Sequence, residues 1–105
     1  MAEPLRAVIT GAQGRMGRAI LGLLGEDDAI KPVQVIDRDG SFEPGTMMDA
    51  GRWGAVELRD DINSEPFDVL IDFSAPKASL QFLAVCAAVQ KPMVIGTTGF
   101  TDEQQ

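Results

Sequence analysis

The sequence predicts an α/β domain, a parallel β-sheet with helices on both faces. Three observations carry that expectation. Short contiguous apolar runs recur along the chain, as in strands covered on both sides. Segments with apolar residues at helical spacing alternate with those runs, the rhythm of strand–helix–strand units. Three glycines, Gly11, Gly14 and Gly17, stand between the first apolar run and the first helical segment.

Each element can be justified in turn. Leu5, Ala7, Val8 and Ile9 form the first strand. The glycine turn that follows suits a left-handed backbone, close approach of a ligand, or tight helix–strand packing. Ala19, Ile20, Leu23 and Leu24 then give a helix one buried face, and Gly25 is placed to cap it. A second strand runs from about Lys31 to Ile36, and Asp37-Arg38-Asp39-Gly40 ends it as a turn. Residues 40–54 are rich in Gly, Pro, Ser and Asp and read as an irregular excursion with a short helical turn near Met47. Trp53 is weighted toward core packing over facing a partner domain, because aromatics dominate cores. Ala55 to Leu58 reads as a short third strand, and residues 59–65 as a polar loop.

Residues 67–73 hold the next strand, with Val69, Leu70 and Ile71 contiguous, as in a central position. Ser74 as cap and Pro76 in the first turn open a second helix. Leu80, Leu83, Ala84, Ala87 and Ala88 are its expected buried stripe, and Cys86 is expected to be a small buried side chain. Met93-Val94-Ile95 forms a last strand before Gly96-Thr97-Thr98-Gly99. Thr101 and Gln104 match a capping box, yet the few residues beyond Thr101 cannot make a stable helix. The expectation is therefore a C-terminally truncated sheet, the front part of a longer protein.

Right-handed crossovers bring the turns at 11–17, 72–74 and 96–99 to one edge, at the carboxyl ends of three central strands. Open parallel sheets bind ligands there, where strand order reverses. A helix N-terminus behind a glycine turn offers free N–H groups and partial positive charge to a phosphate. Asp37 lies 20 residues after Gly17, at the end of the second strand, where an acid accepts from an adenosine ribose. The fold expected is thus Rossmann-like, holding a dinucleotide.

Composition bounds the rest. The 105 residues are 45% apolar and 24% charged, enough for one soluble domain. No run approaches the ~18 apolar residues of a membrane span. The first strand begins almost at Met1, leaving no room for a targeting peptide, so a cytoplasmic location is expected. A formal charge of −7 argues against nucleic acid as partner. With no histidine and one cysteine, histidine-based catalysis, histidine metal ligands and an intrachain disulfide are excluded. No metal site is expected.

The runs Gly11-Ala12-Gln13-Gly14-Arg15-Met16-Gly17, Val69-Leu70-Ile71-Asp72-Phe73-Ser74 and Val94-Ile95-Gly96-Thr97-Thr98-Gly99-Phe100 together resemble dihydrodipicolinate reductase, the 4-hydroxy-tetrahydrodipicolinate reductase of lysine (diaminopimelate) biosynthesis. The resemblance covers essentially the whole chain. It implies that residues 1–105 form an N-terminal NAD(P)-binding domain and that a substrate and tetramerisation domain lies beyond residue 105. It implies hydride transfer from NADH or NADPH to a cyclic imine dicarboxylate. By the same resemblance Gly11, Ala12, Gln13, Gly14, Arg15 and Met16 wrap the pyrophosphate. Asp37 holds the adenosine ribose, and Arg38 lies beside the adenine or a 2′-phosphate. Phe73 and Ser74 line the middle of the cleft. Gly96, Thr97 and Thr98 meet the nicotinamide end, with Thr98 nearest the substrate.

Two departures qualify the match: Asp37 stands where glutamate is frequent, and Ala75 where some members carry a larger polar residue. The family's histidine- and lysine-bearing substrate motif is absent, so no catalytic residue and no turnover are expected of this chain. The dicarboxylate is then a partner of the full-length protein only; that parent is expected to be a homotetramer, this chain not. Asp37 repels a 2′-phosphate while Arg38 can pair with it, so dual cofactor use with a modest NADH preference is expected. Two alternatives stay open. One is another Rossmann reductase or epimerase, although such enzymes need a catalytic tyrosine and this chain has none. The other is a non-catalytic dinucleotide-binding domain.

Overall fold

The computed structural model describes residues 3–96. Six strands form one sheet: β1 (Leu5–Thr10), β2 (Ile30–Ile36), β3 (Met47–Asp49), β4 (Ala55–Arg59), β5 (Val69–Asp72) and β6 (Met93–Ile95), in the order β3-β4-β2-β1-β5-β6. All neighbouring pairs are parallel except β3 with β4. Helix α1 (Arg15–Leu24) links β1 to β2, and α2 (Pro76–Val89) links β5 to β6. The chain leaves β1 toward β2 on one side and places β5 on the other. Strand order therefore reverses between β1 and β5.

Side-chain alternation along β1 divides the core in two. Ala7 and Ile9 pack with Leu21 and Leu24 of α1, whereas Val8 packs with Leu70, Phe67 and Cys86 of α2. Residues 7–10 have no exposed surface, as a central strand between two helical layers requires. Leu5, at the strand's start, is half exposed. Of the three strands expected at the centre, β1 and β5 are there; β6 lies at the sheet edge among the described residues.

The helices correct two expected faces. In α1 the buried residues are Gly17, Leu21 and Leu24, with Ile20 partly buried, while Ala19 and Leu23 face outward. The stripe is i, i+3, i+4, i+7 from Gly17, a glycine that lets the helix close on the Gly11–Ala12 turn. In α2 the expected stripe of Leu80, Leu83, Ala84, Ala87 and Ala88 is exposed. Ser79 and Cys86 are buried instead, with Phe82 packed beside them. Apolar residues surround α2 on most sides, so spacing could not select a face. A buried carboxylate, Asp72, decides it by accepting a hydrogen bond from the Ser79 hydroxyl.

Two smaller corrections concern ends and edges. Ala75, not Ser74, is the N-cap residue of α2, and it makes no side-chain cap bond. Gly25 caps α1 as expected, in a right-handed conformation, its N–H donating to the Leu21 carbonyl at 3.0 Å. The turn expected near Met47 is strand β3, with Met48 inward and its neighbours outward, and helical geometry comes later, in a 3-10 turn at Gly51–Trp53. Trp53 packs against the α1-side core, and its indole N–H donates to the Leu24 carbonyl at 2.9 Å. That bond serves a carbonyl at the end of α1 that has no intrahelical donor.

Candidate functional site

A cleft of about 780 Å³ opens at the carboxyl ends of β1, β2 and β5, across the point of strand reversal. Gly11, Gln13 and Gly14 line it from the first turn, Asp37 and Arg38 from the end of β2, Phe73 and Ser74 from the end of β5. These seven residues come from segments far apart in sequence, and the sheet brings them to one place.

Local geometry explains the turn. Gly11 has φ +65°, and a Cβ there would lie 2.5 Å from the Phe73 carbonyl oxygen. Both facts demand glycine. At Gly17 a Cβ would lie 2.4 Å from the Gly11 oxygen, so this glycine lets α1 close on the turn. Asp37 ties the turn to β2: its Oδ2 accepts from Gln13 N–H at 2.9 Å, and its Oδ1 accepts from Arg38 N–H at 2.8 Å. The Gln13 amide also donates to the Ser41 hydroxyl at 3.0 Å, closing a strap on that wall.

Other expected site residues fall differently. Ala12 has no exposed surface and packs in the α1-side core, while its N–H donates to the Ile36 carbonyl at 3.1 Å. Arg15 and Met16 are exposed in the first turn of α1, outside the cleft lining. Gly96 is also outside the lining; its N–H donates to the Asp72 carbonyl at 2.7 Å, and a Cβ there would strike the Phe73 ring. Thr97 and Thr98 lie outside the described residues.

The cleft also contains residues that spacing alone did not single out, among them Ser41, Asp60, Lys77, Gln81 and Phe82. Lys77 had one available signal, its place just after Pro76 in the first turn of a helix that follows a central strand. Asp60 had none.

Both helices aimed at the cleft have N-termini without a side-chain cap bond and without an acid in the first turn. Their leading N–H groups carry partial positive charge that nothing in either first turn offsets. Such ends suit an anionic ligand, and the close-packed glycine turn leaves its backbone approachable. The geometry thus fits a dinucleotide, with the pyrophosphate against backbone and a ribose against Asp37.

Beneath the rim, Asp72 has no exposed surface. Its Oδ1 accepts from the Thr10 hydroxyl at 2.5 Å, the Ser74 N–H at 3.0 Å and the Ser74 hydroxyl; its Oδ2 accepts from the Ser79 hydroxyl. Burial pushes its carboxyl pKa up, but hydrogen bonds from Ser74, Ser79 and Thr10 outweigh that and hold it below the ordinary value. Among the described residues, no group of three or more histidine, cysteine, aspartate or glutamate side chains could hold a metal ion, and no helix is long and apolar enough to cross a membrane.

Residues 5–105 match the family described as dihydrodipicolinate reductase, N-terminus. The chain belongs to the dihydrodipicolinate reductase family. Relatives agree. A 4-hydroxy-tetrahydrodipicolinate reductase of Saccharophagus degradans is 37% identical over 106 residues, covering 95% of this chain and 39% of that protein. One from Citrifermentans bemidjiense is 41% identical over 108 residues, covering 96% and 40%. The chain thus spans about two-fifths of the length of these relatives, each of them named 4-hydroxy-tetrahydrodipicolinate reductase.

Solved structures support the Rossmann-like fold. A dipicolinate-bound dihydrodipicolinate reductase from Paenisporosarcina sp. TG-14 superposes with a TM-score of 0.68 at 24% identity, covering 96% of this chain and 40% of that one. An aspartate semialdehyde dehydrogenase from Vibrio cholerae gives 0.76 at 15% identity, covering 92% and 32%. The higher score of the second, less similar sequence shows likeness of fold alone.

Proposed function

We propose that residues 1–105 are the NAD(P)H-holding part of a 4-hydroxy-tetrahydrodipicolinate reductase. The observation that carries this reading is the cleft at the strand reversal, where the Gly11–Gly14 turn, Asp37 and Ser74 meet below two helix N-termini without side-chain caps. When bound, NADH or NADPH supplies the hydride for reduction of a cyclic imine dicarboxylate. This chain's residues supply position. Of the Gly11–Met16 run, the backbone of Gly11 and the leading N–H groups of α1 at Arg15 and Met16 face the pyrophosphate, since those of Ala12, Gln13 and Gly14 donate within the fold. Asp37, already anchored by two N–H donors, offers its remaining lone pairs to the adenosine ribose. Arg38 stands at the ribose end, Phe73 and Ser74 line the middle, and Gly96, Thr97 and Thr98 serve the nicotinamide end, Thr98 nearest the substrate.

Proton delivery and the grip on the dicarboxylate belong to a second domain beyond residue 105, which also builds a tetramer in the cytoplasm. This chain alone binds cofactor and does not turn over. Titration with NADH, followed by amide shifts, tests the reading: Gly11–Gly17, Asp37 and Gly96–Thr98 should move together, and no movement at saturating cofactor overturns it. Arg38 lines the cleft next to Asp37, so attraction and repulsion of a 2′-phosphate act at one point. NADH is expected to bind modestly better than NADPH. A preference for NADPH above about tenfold, about 1.4 kcal/mol, refutes that balance.

A further inference from the structure

The strands β1 and β5 are joined by side chains at both ends of their shared ladder. At the outer end Arg6 grips Asp68, with backbone N–H at 2.7 Å and guanidinium nitrogens at 3.1 and 3.2 Å. At the cleft end Thr10 donates to Asp72. The two ties differ in reach. The Arg6–Asp68 tie joins an exposed residue of β1 to the partly exposed residue just before β5. The Asp72 carboxylate is buried and gathers three elements: the last residue of β1, the Ser74 turn after β5, and Ser79 on α2. Its neighbours along the chain form the cleft. Phe73 N–H donates to the Thr10 carbonyl at 3.1 Å, the Phe73 carbonyl lies against Gly11, and Ser74 lines the cavity.

We infer that Asp72 is a positioning residue for the dinucleotide: by holding Thr10, Ser74 and Ser79 on one carboxylate, it fixes the spacing between the Gly11 turn, the Phe73–Ser74 rim and the first turn of α2. This inference rests on the proposed cofactor reading. The hydroxyls of Thr10, Ser74 and Ser79 and the Ser74 N–H converge on one oxygen pair, and a carboxylate accepts from all of them without having to donate. An amide in its place keeps the shape but turns one acceptor into a donor facing hydroxyls. The turn then loses its reference point, and the two walls of the cleft can drift by a fraction of an ångström, enough to weaken a ligand that spans both.

The test compares the whole chain with its Asp72→Asn, Ser79→Ala and Asp68→Asn variants, measuring the NADH dissociation constant, thermal stability and hydrogen exchange of the Phe73 and Ser74 amides. Asp72→Asn is expected to weaken NADH at least tenfold and to speed exchange of both amides in the free protein. Ser79→Ala should do the same to a smaller degree, and it decides the matter if Asp72→Asn fails to fold. Asp68→Asn should lower thermal stability while leaving NADH affinity within twofold and the two amides unchanged. If Asp72→Asn and Ser79→Ala move only the melting temperature, or if Asp68→Asn weakens NADH equally, Asp72 is structural and the inference falls. If the unaltered chain binds no NADH, the proposed function of this chain fails on its own, and unchanged exchange at Ser74 in Asp72→Asn then overturns the positioning role separately.

Discussion

Gly11 shows what a single position can settle. Alanine there meets two penalties, a left-handed backbone and a carbonyl 2.5 Å from its methyl. The first alone costs about 1–2 kcal/mol. Gly11→Ala should therefore lower stability by about 2 kcal/mol or more, a melting shift on the order of 10 °C for a domain of this size. Calorimetry checks it, and a shift under about 3 °C would mean that the turn relaxes freely. Gly11 was legible in the sequence because three glycines set between an apolar run and a helical segment mark a tight strand-to-helix turn. So was Asp37, since the end of the second strand fixes where its carboxylate must sit. Lys77 and Asp60 were not legible, because nothing local tells a polar side chain facing a cleft from one facing water.

Among the elements, the helices separate what periodicity can and cannot say. In α1 the spacing pointed to Ala19, Ile20, Leu23 and Leu24, and packing buries Leu21 rather than Leu23. Leu21→Ala should cost about 2–5 kcal/mol, the range for emptying a core site, whereas Leu23→Ala, 64% exposed, should change stability by about 0.5 kcal/mol at most. Equal losses in chemical denaturation would place the helix rotated from the orientation described. In α2 the sequence could not reveal the buried side, since it depends on a hydrogen bond between Ser79 and a carboxylate seven residues earlier. The strands were easier, because a covered parallel strand needs only a contiguous apolar run. The residue just before β5 also carries a pH signature. The side-chain and backbone hydrogen bonds from Arg6 draw Asp68 down from 3.8 to about 2. A carboxylate depressed in the folded state gives stability that is present above its unfolded pKa and lost as pH falls through the folded one. Melting temperature should therefore fall between about pH 4 and about pH 2, and Asp68→Asn should flatten that part of the curve. An unchanged slope in the variant would assign the acid sensitivity elsewhere.

At the scale of the whole molecule, the order of the strands does most to create the site. Reversal between β1 and β5 leaves two loops with no strand-to-strand crossover between them, and the crevice follows from topology. The alternation of runs and helices made that topology legible; the antiparallel β3 was not, because a three-residue edge strand in a glycine-rich stretch has no distinguishing pattern. A consequence follows from the bare starts of α1 and α2. A helix that does not finish its own first turn leaves part of its stability to be supplied by the surroundings. Pyrophosphate, added without any nucleoside, should raise the melting temperature in a saturable way, as mass action on a folded-state site requires. Gly14 gives the means to check it. Its backbone is ordinary at φ −70°, and an added Cβ would come no nearer than 3.4 Å to the Gly11 oxygen. Gly14→Asp would place the chain's own carboxylate over the N–H groups of α1, gaining about a few tenths of a kcal/mol in the free protein. In differential scanning calorimetry that variant should melt slightly higher than the parent without additive and gain less from pyrophosphate. A full response in the variant would show that the anion rests elsewhere. With a diminished response, the resting fold is one left unfinished at the place where its guest completes it.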